Sequence, residues 1–129
     1  MLQSITEFLR GCTALKNRHI TMEILGTDDD AVAVKTVACN PILHRYADGD
    51  SLRQFTFSVM SRESGQDAGL SAAFYEALVQ RLKEGLPVLA QGQTPQRFEI
   101  VNSAAPDEHD YSSTRYELVC RLIYYQKGA

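Results

Sequence analysis

Apolar and polar residues alternate with period two along most of this chain, and with a three-to-four-residue period in two stretches. The longest alternation covers residues 50–65. Leu52, Phe55, Phe57 and Val59 read as one face of a long strand, with Gln54, Thr56, Ser58 and Met60 on the other. Arg53 and Arg62 bracket it, an Asp48-Gly49 turn precedes it, and Ser64-Gly65 closes it. Its length and central position predict that the remaining strands pair around it.

Residues 2–15 place Leu2, Ile5, Leu9, Cys12 and Leu15 at helical steps, with Phe8 widening the stripe. Ser4 and Glu7 have the spacing of a capping box. This predicts an amphipathic helix packed against a sheet. Residues 19–25 and 31–38 alternate again. Joined through the turn formers Gly26, Thr27, Asp28, Asp29 and Asp30, they predict a β-hairpin. Residues 40–50 read as a connection and 63–70 as a loop. Residues 71–84 predict a second helix with an apolar stripe of Phe74, Ala77, Leu78 and Leu82. Glu76, Gln80, Arg81, Lys83 and Glu84 form its wet side. Ser71 is placed as its N-cap and Gly85, before Pro87, as its stop. Residues 88–94 are too short and glycine-broken to assign.

Residues 97–102 predict a fourth strand with Phe98 and Ile100 inward, 103–114 a long polar loop, and 115–126 the last strand. On that strand Tyr116, Leu118, Cys120, Leu122 and Tyr124 share one face, and Glu117, Val119, Arg121, Ile123 and Tyr125 the other. The second set mixes charge with bulky apolar groups beyond what solvent requires, which predicts partial cover by a partner chain. The expected fold class is α+β: a mainly antiparallel sheet of about five strands with two helices packed on one face, in the order α-β-β-β-α-β-β.

Composition narrows the class. A length of 129 residues predicts one domain. With 44% hydrophobic and 22% charged residues the chain is globular rather than disordered. A formal net charge of −3 argues against a dedicated nucleic-acid binder. Cys12, Cys39 and Cys120 are odd in number and widely spaced, so they read as small reduced hydrophobes of a cytosolic protein rather than a disulfide framework. No apolar run approaches the roughly 18 residues of a membrane span. The first residues do not have the pattern of a signal peptide, so none is expected.

No residue set demands a reaction. His19, His44 and His109 are dispersed and no CxxC occurs, so no zinc site is indicated. The triplet Asp28, Asp29 and Asp30 lacks the ligand spacing of a calcium loop and reads as a solvated turn. Asp107, Glu108, His109 and Asp110 read as part of a hydrophilic loop. Neither a phosphate-cradling glycine motif nor a GxSxG elbow is present. Cys120 sits on an apolar face, where a thiol is inert. The expectation is no catalytic, metal-binding or cofactor-binding residue and no enzyme.

A family resemblance takes the reading further. Its centre is the run Asp48-Gly49-Asp50-Ser51-Leu52-Arg53-Gln54-Phe55 followed by Ser61-Arg62-Glu63. Asn40-Pro41-Ile42 lies upstream. Phe74-Tyr75-Glu76 leads to Gly85-Leu86-Pro87-Val88-Leu89, with Gly92 and Gln93 beyond. Arg115-Tyr116 and Leu122-Ile123-Tyr124-Tyr125-Gln126-Lys127 come at the end. In this order the chain resembles the minor capsid or tail-completion proteins of siphophages and of prophages in Gram-positive bacteria. Some of these carry a chloramphenicol-resistance label, but the chemistry of an acetyltransferase is not found in this sequence.

The resemblance implies a tail terminator-like protein: a ring, commonly of six subunits, that caps the tail tube and joins it to the head. Its implied partners are copies of itself, the major tail tube protein and head–tail connector proteins, with no membrane and no sequence-specific nucleic acid. Its implied location is the virion tail or head–tail joint, and the bacterial host cytoplasm during assembly. A head-completion or minor capsid protein is the alternative, and a small-molecule enzyme the alternative from another class. The subunit-interface candidates are Arg53 and Arg62, at the two ends of the long strand, and Arg121 and Tyr125, on the two-sided last strand. A ring is a closed set of head-to-tail interfaces, and an exposed sheet edge paired with a neighbour is one way to build them.

Overall fold

The computed structural model describes the backbone of every residue except 13, 14, 16, 17, 27–30, 65–67, 110–112 and 129, and side chains outside those positions and outside 63–72 and 103–114. Its elements are helix α1 (Leu2–Arg10), strands β1 (His19–Met22), β2 (Ala31–Val37), β3 (Ile42–Arg45) and β4 (Ser51–Ser64), helix α2 (Ala68–Glu84), and strands β5 (Gln93–His109) and β6 (Ser113–Gln126). The sheet runs β1-β2-β4-β6-β5, and β3 also pairs with β4. The class is α+β with a mostly antiparallel sheet, as the alternation predicts. β4 is its axis: β6 pairs with it along its full length, so β2 and β3 follow one another along its opposite side.

Both helices bury their apolar stripes on one face of the sheet. Ile5 and Leu9 of α1, and Leu78 and Leu82 of α2, meet Val32, Val34, Phe57, Val59, Leu118, Cys120 and Leu122 in one core. Phe98 ties β5 to this core, with ring centroids 5.4 Å from Phe8 and 5.9 Å from Phe57. Core side chains of this size contribute roughly 1.5–3 kcal/mol each on burial.

Several expectations need correction. The first helix stops at Arg10, and Met1 is its N-cap without a side-chain bond, so Ser4 and Glu7 form no capping box. Cys12 and Leu15 are still buried, because single turns closed by Cys12 N–H to Leu9 O and Leu15 N–H to Cys12 O continue the apolar period after the helix ends. β1 and β2 are parallel rather than a hairpin. Alternation is the same in either direction; the connecting backbone decides. Here Glu23 leaves β1 with φ 72 and donates its N–H to Val34 O at 2.9 Å. Its carboxylate accepts the Thr36 hydroxyl at 2.7 Å. Residues 28–30, the acidic triplet, lie outside the described residues.

The supposed connection at 40–50 contains a short sixth strand, β3, irregular at Ile42/His44. The supposed loop at 103–114 is mostly strand, because β5 and β6 extend to His109 and from Ser113. Backbone pairing needs no apolar side chains, and four register shifts let β5 accommodate its irregular sequence against β6. α2 begins at Ala68, so Ser71 lies within the helix rather than at its cap. Ala77 is exposed and Tyr75 takes the core position, sharing a 2.5 Å hydrogen bond with Ser61. Arg81 is not on the wet side: its guanidinium lies 4.3 Å above the Phe8 ring. Leu52, an odd number of residues from Phe55, falls on the opposite face, across from Tyr125.

Candidate interaction surfaces

No described helix covers the second face of the sheet. Period two brings Lys35, Gln54, Thr56, Ser58, Met60 and Leu52 to it from β2 and β4. Val119, Arg121, Ile123 and Tyr125 come from β6, and Arg97 and Glu99 from β5. Thr56, Ser58, Met60 and Ile123 are buried on this face. A polar chain crosses the strands. Arg121 donates from Nε to Glu99 Oε1 at 2.6 Å and from Nη1 to Gln54 Oε1 at 3.1 Å. Gln54 donates to Asn40 O at 2.7 Å. Arg97 donates from Nε to Glu99 Oε2 at 2.8 Å. Hydrogen bonds from Arg97 and then Arg121 hold the Glu99 carboxyl below the usual carboxylate range.

At one end of this face Asp50 forms a clasp. It accepts the Tyr125 hydroxyl and the Gly128 N–H at 2.6 Å. Tyr46 donates its N–H to Asp50 O and accepts the Gly49 N–H, closing the predicted Asp48-Gly49 turn. Gly49 has φ +96, open to glycine at no steric cost. The Gly128 N–H, then the Tyr125 hydroxyl, lower the Asp50 pKa. The Asp50 hydrogen bond is the chief cause that pushes the Tyr125 phenol up to about 12. Tyr125 also lies 5.8 Å from Tyr46, which stands edge-on to His44 at 4.7 Å.

The four sequence-named interface candidates therefore separate. Arg62, Arg121 and Tyr125 lie on the helix-free face. Arg53, opposite Tyr124, lies on the helix-bearing face and donates to Ser51 Oγ at 2.9 Å. Arg62 donates to Gly26 O at 3.2 Å. The sequence reading passed over Lys35, Arg97, Glu99 and Asp50. The spacing of Arg97 and Glu99, two apart in a strand and of opposite charge, is the signal that pointed to a same-face pair.

The outer edges of the sheet are poor templates for pairing. β1 and β3 are four residues each, and β5 carries Pro95, Pro106 and four register shifts. An open groove of about 610 Å³ runs between α1 and the segment after α2, lined by Met1, Glu7, Phe8, Arg81, Leu86 and Val88. Among the described residues no group of three or more His, Cys, Asp or Glu is placed to hold a metal. The side chains of 107–110 lie outside them. Burial pushes the Cys120 thiol up to about 12. Among the described residues no helix is long and apolar enough to cross a membrane.

No protein-family profile matches the sequence, and no curated protein matches it. The fold does have a counterpart. A chain in the structure of the virion of a native gene transfer agent particle superposes with a TM-score of 0.70 at 13% identity, over 97% of this chain and 94% of that one. At that identity the likeness is one of fold.

Proposed function

We propose that this chain is a structural protein of a phage-like virion, acting by assembly and not by catalysis. The observation that carries the proposal is the near end-to-end likeness to a chain of the gene transfer agent virion. Two further features support it. A helix-free sheet face mixes apolar area with ordered polar groups, the composition of a surface built for contact. The buried Cys12 and Cys120 serve packing, and the hydrogen bonds of Asp50 and Glu99 tie strand to strand and strand to chain end, with no nucleophile–base pair among these groups.

Within that class we favour the tail terminator: a ring of copies, six in the assembled state, that caps the tail tube and presents its other side to the head–tail connector. The sequence resemblance, whose implied role is tail terminator-like, supports this reading, with head completion as the alternative. The ring works by geometry, since head-to-tail contacts close on themselves and halt growth of the tube. Solution mass by light scattering across a concentration series, alone and with the major tail tube protein, tests it. A hexamer-sized species, or one induced by tube protein, is the expected result. A monomer in both conditions that instead binds the portal-side connector overturns the terminator reading in favour of head completion.

A further inference from the structure

We infer that a second copy of this chain covers the helix-free sheet face, docking the outward stripe of its α2 across Lys35, Arg97 and Arg121. This rests on the ring reading and names the two surfaces that would make the ring.

The sheet edges are the first alternative, and they are blunted by short strands, prolines and register shifts. Association is left to the faces. The helix-free face carries Lys35, Arg97 and Arg121 against Glu99 and Glu117. Both oxygens of Glu99 are already engaged by the two arginines. The side chain of Arg97 remains 57% exposed and that of Arg121 39%. Lys35 is exposed and has no ion pair among the described residues. Between these cations lie the half-buried Val119 and the buried Met60, Ser58 and Ile123, so the charged side chains are what the face presents.

The opposite side of the molecule offers the complement. α2 turns Phe74, Tyr75, Leu78 and Leu82 into the core. It exposes Ala73, Glu76, Ala77, Gln80, Lys83 and Glu84, with two carboxylates to one cation. Ala73 and Ala77 let a flat surface approach closely. Glu76 and Glu84 supply carboxylates, and Gln80 is already oriented by its 2.6 Å bond to Glu84. A 17-residue helix is about 25 Å long, enough to cross several strands about 4.8 Å apart. Because the two surfaces lie on opposite sides of a two-layer molecule, one chain cannot pair them internally. Pairing them between copies is heterologous and repeats head to tail, as a ring requires. Nucleic acid fits the face less well, since Glu99 and Glu117 stand among the cations and the chain carries a net −3.

Charge exchange tests the inference. Sedimentation velocity is run from micromolar to millimolar protein on wild type, on Lys35→Glu with Arg97→Glu, on Glu76→Lys with Glu84→Lys, and on a mixture of the two variants. Circular dichroism melts check that each variant folds. The expected result is self-association that each variant weakens at least tenfold and that mixing the variants restores. Self-association that survives both variants, or is not restored by mixing, overturns the paired faces while leaving the ring reading standing. A wild type that never associates, either alone or with the major tail tube protein added, overturns both. Retention of a DNA fragment that Lys35→Glu with Arg97→Glu abolishes, without any change in self-association, overturns the inference in favour of a phosphate-binding face.

Discussion

At the scale of single residues, Asp50 and Tyr125 carry the clearest pH signature. The Tyr125 phenol has its pKa raised from 10.0 to about 12, chiefly by donating to Asp50. A raised folded-state pKa means that the native state holds the proton more tightly. The stabilisation is then fully present below pH 10 and lost as pH rises towards 12. The Asp50 pKa is lowered from 3.8, so its contribution is present above that value and fades as pH falls through the folded-state pKa. Denaturant melts of wild type and Tyr125→Phe should therefore differ by a constant amount from pH 6 to 9 and converge between pH 10 and 12. A second residue-scale expectation concerns Ser58. Its hydroxyl is buried with no hydrogen-bond partner, so Ser58→Ala removes an unsatisfied group. Chemical denaturation should find that variant as stable as wild type or more so. By contrast Phe57→Ala, at the centre of the same strand and fully buried, should cost about 3–5 kcal/mol.

At the scale of elements, the two helices meet over a glycine. A Cβ at Gly85 would stand 2.9 Å from Cε2 of Phe8, whose ring is already held between Arg81 and Phe98. Gly85→Ala must displace that ring and should lower stability by roughly 1–3 kcal/mol, read as a shift in the urea midpoint. Much at this scale was legible beforehand. The 3.6-residue stripes located both helices, because burying a stripe is what makes a marginal helix stable. Period two located β4 and β6 and divided β6 correctly into its core set and its mixed set. The misses share a cause. β3 and the outer parts of β5 are held by backbone bonds to β4 and β6, and such bonds leave little mark on side-chain composition. Tyr75 was missed because its hydroxyl disguises a core position that Ser61 satisfies.

At the scale of the whole molecule, layer arrangement sorts the cysteines. Cys12 and Cys120 are buried and Cys39 is exposed, so two of the three small hydrophobes pack inside and one stands outside. A thiol reagent should label Cys39 at once in the native protein and reach the other two only on unfolding, as mass spectrometry of the labelled chain would show. The same arrangement divides the interface candidates, putting Arg62, Arg121 and Tyr125 on the helix-free face and Arg53 on the helix-bearing one.

The sequence by itself determined the fold class, the central strand, both helices and the faces of the last strand, since each follows from local periodicity that any buried face must obey. Only the tertiary structure decided that β1 and β2 run parallel, that β3 exists, and that Asp50, Tyr125 and Gly128 meet. It likewise decided that Gln54, Glu99 and Arg121 form one chain of bonds across three strands. Those outcomes depend on chain direction and register between segments distant in sequence. Alternation is blind to both, because it repeats identically in either direction and in every second register.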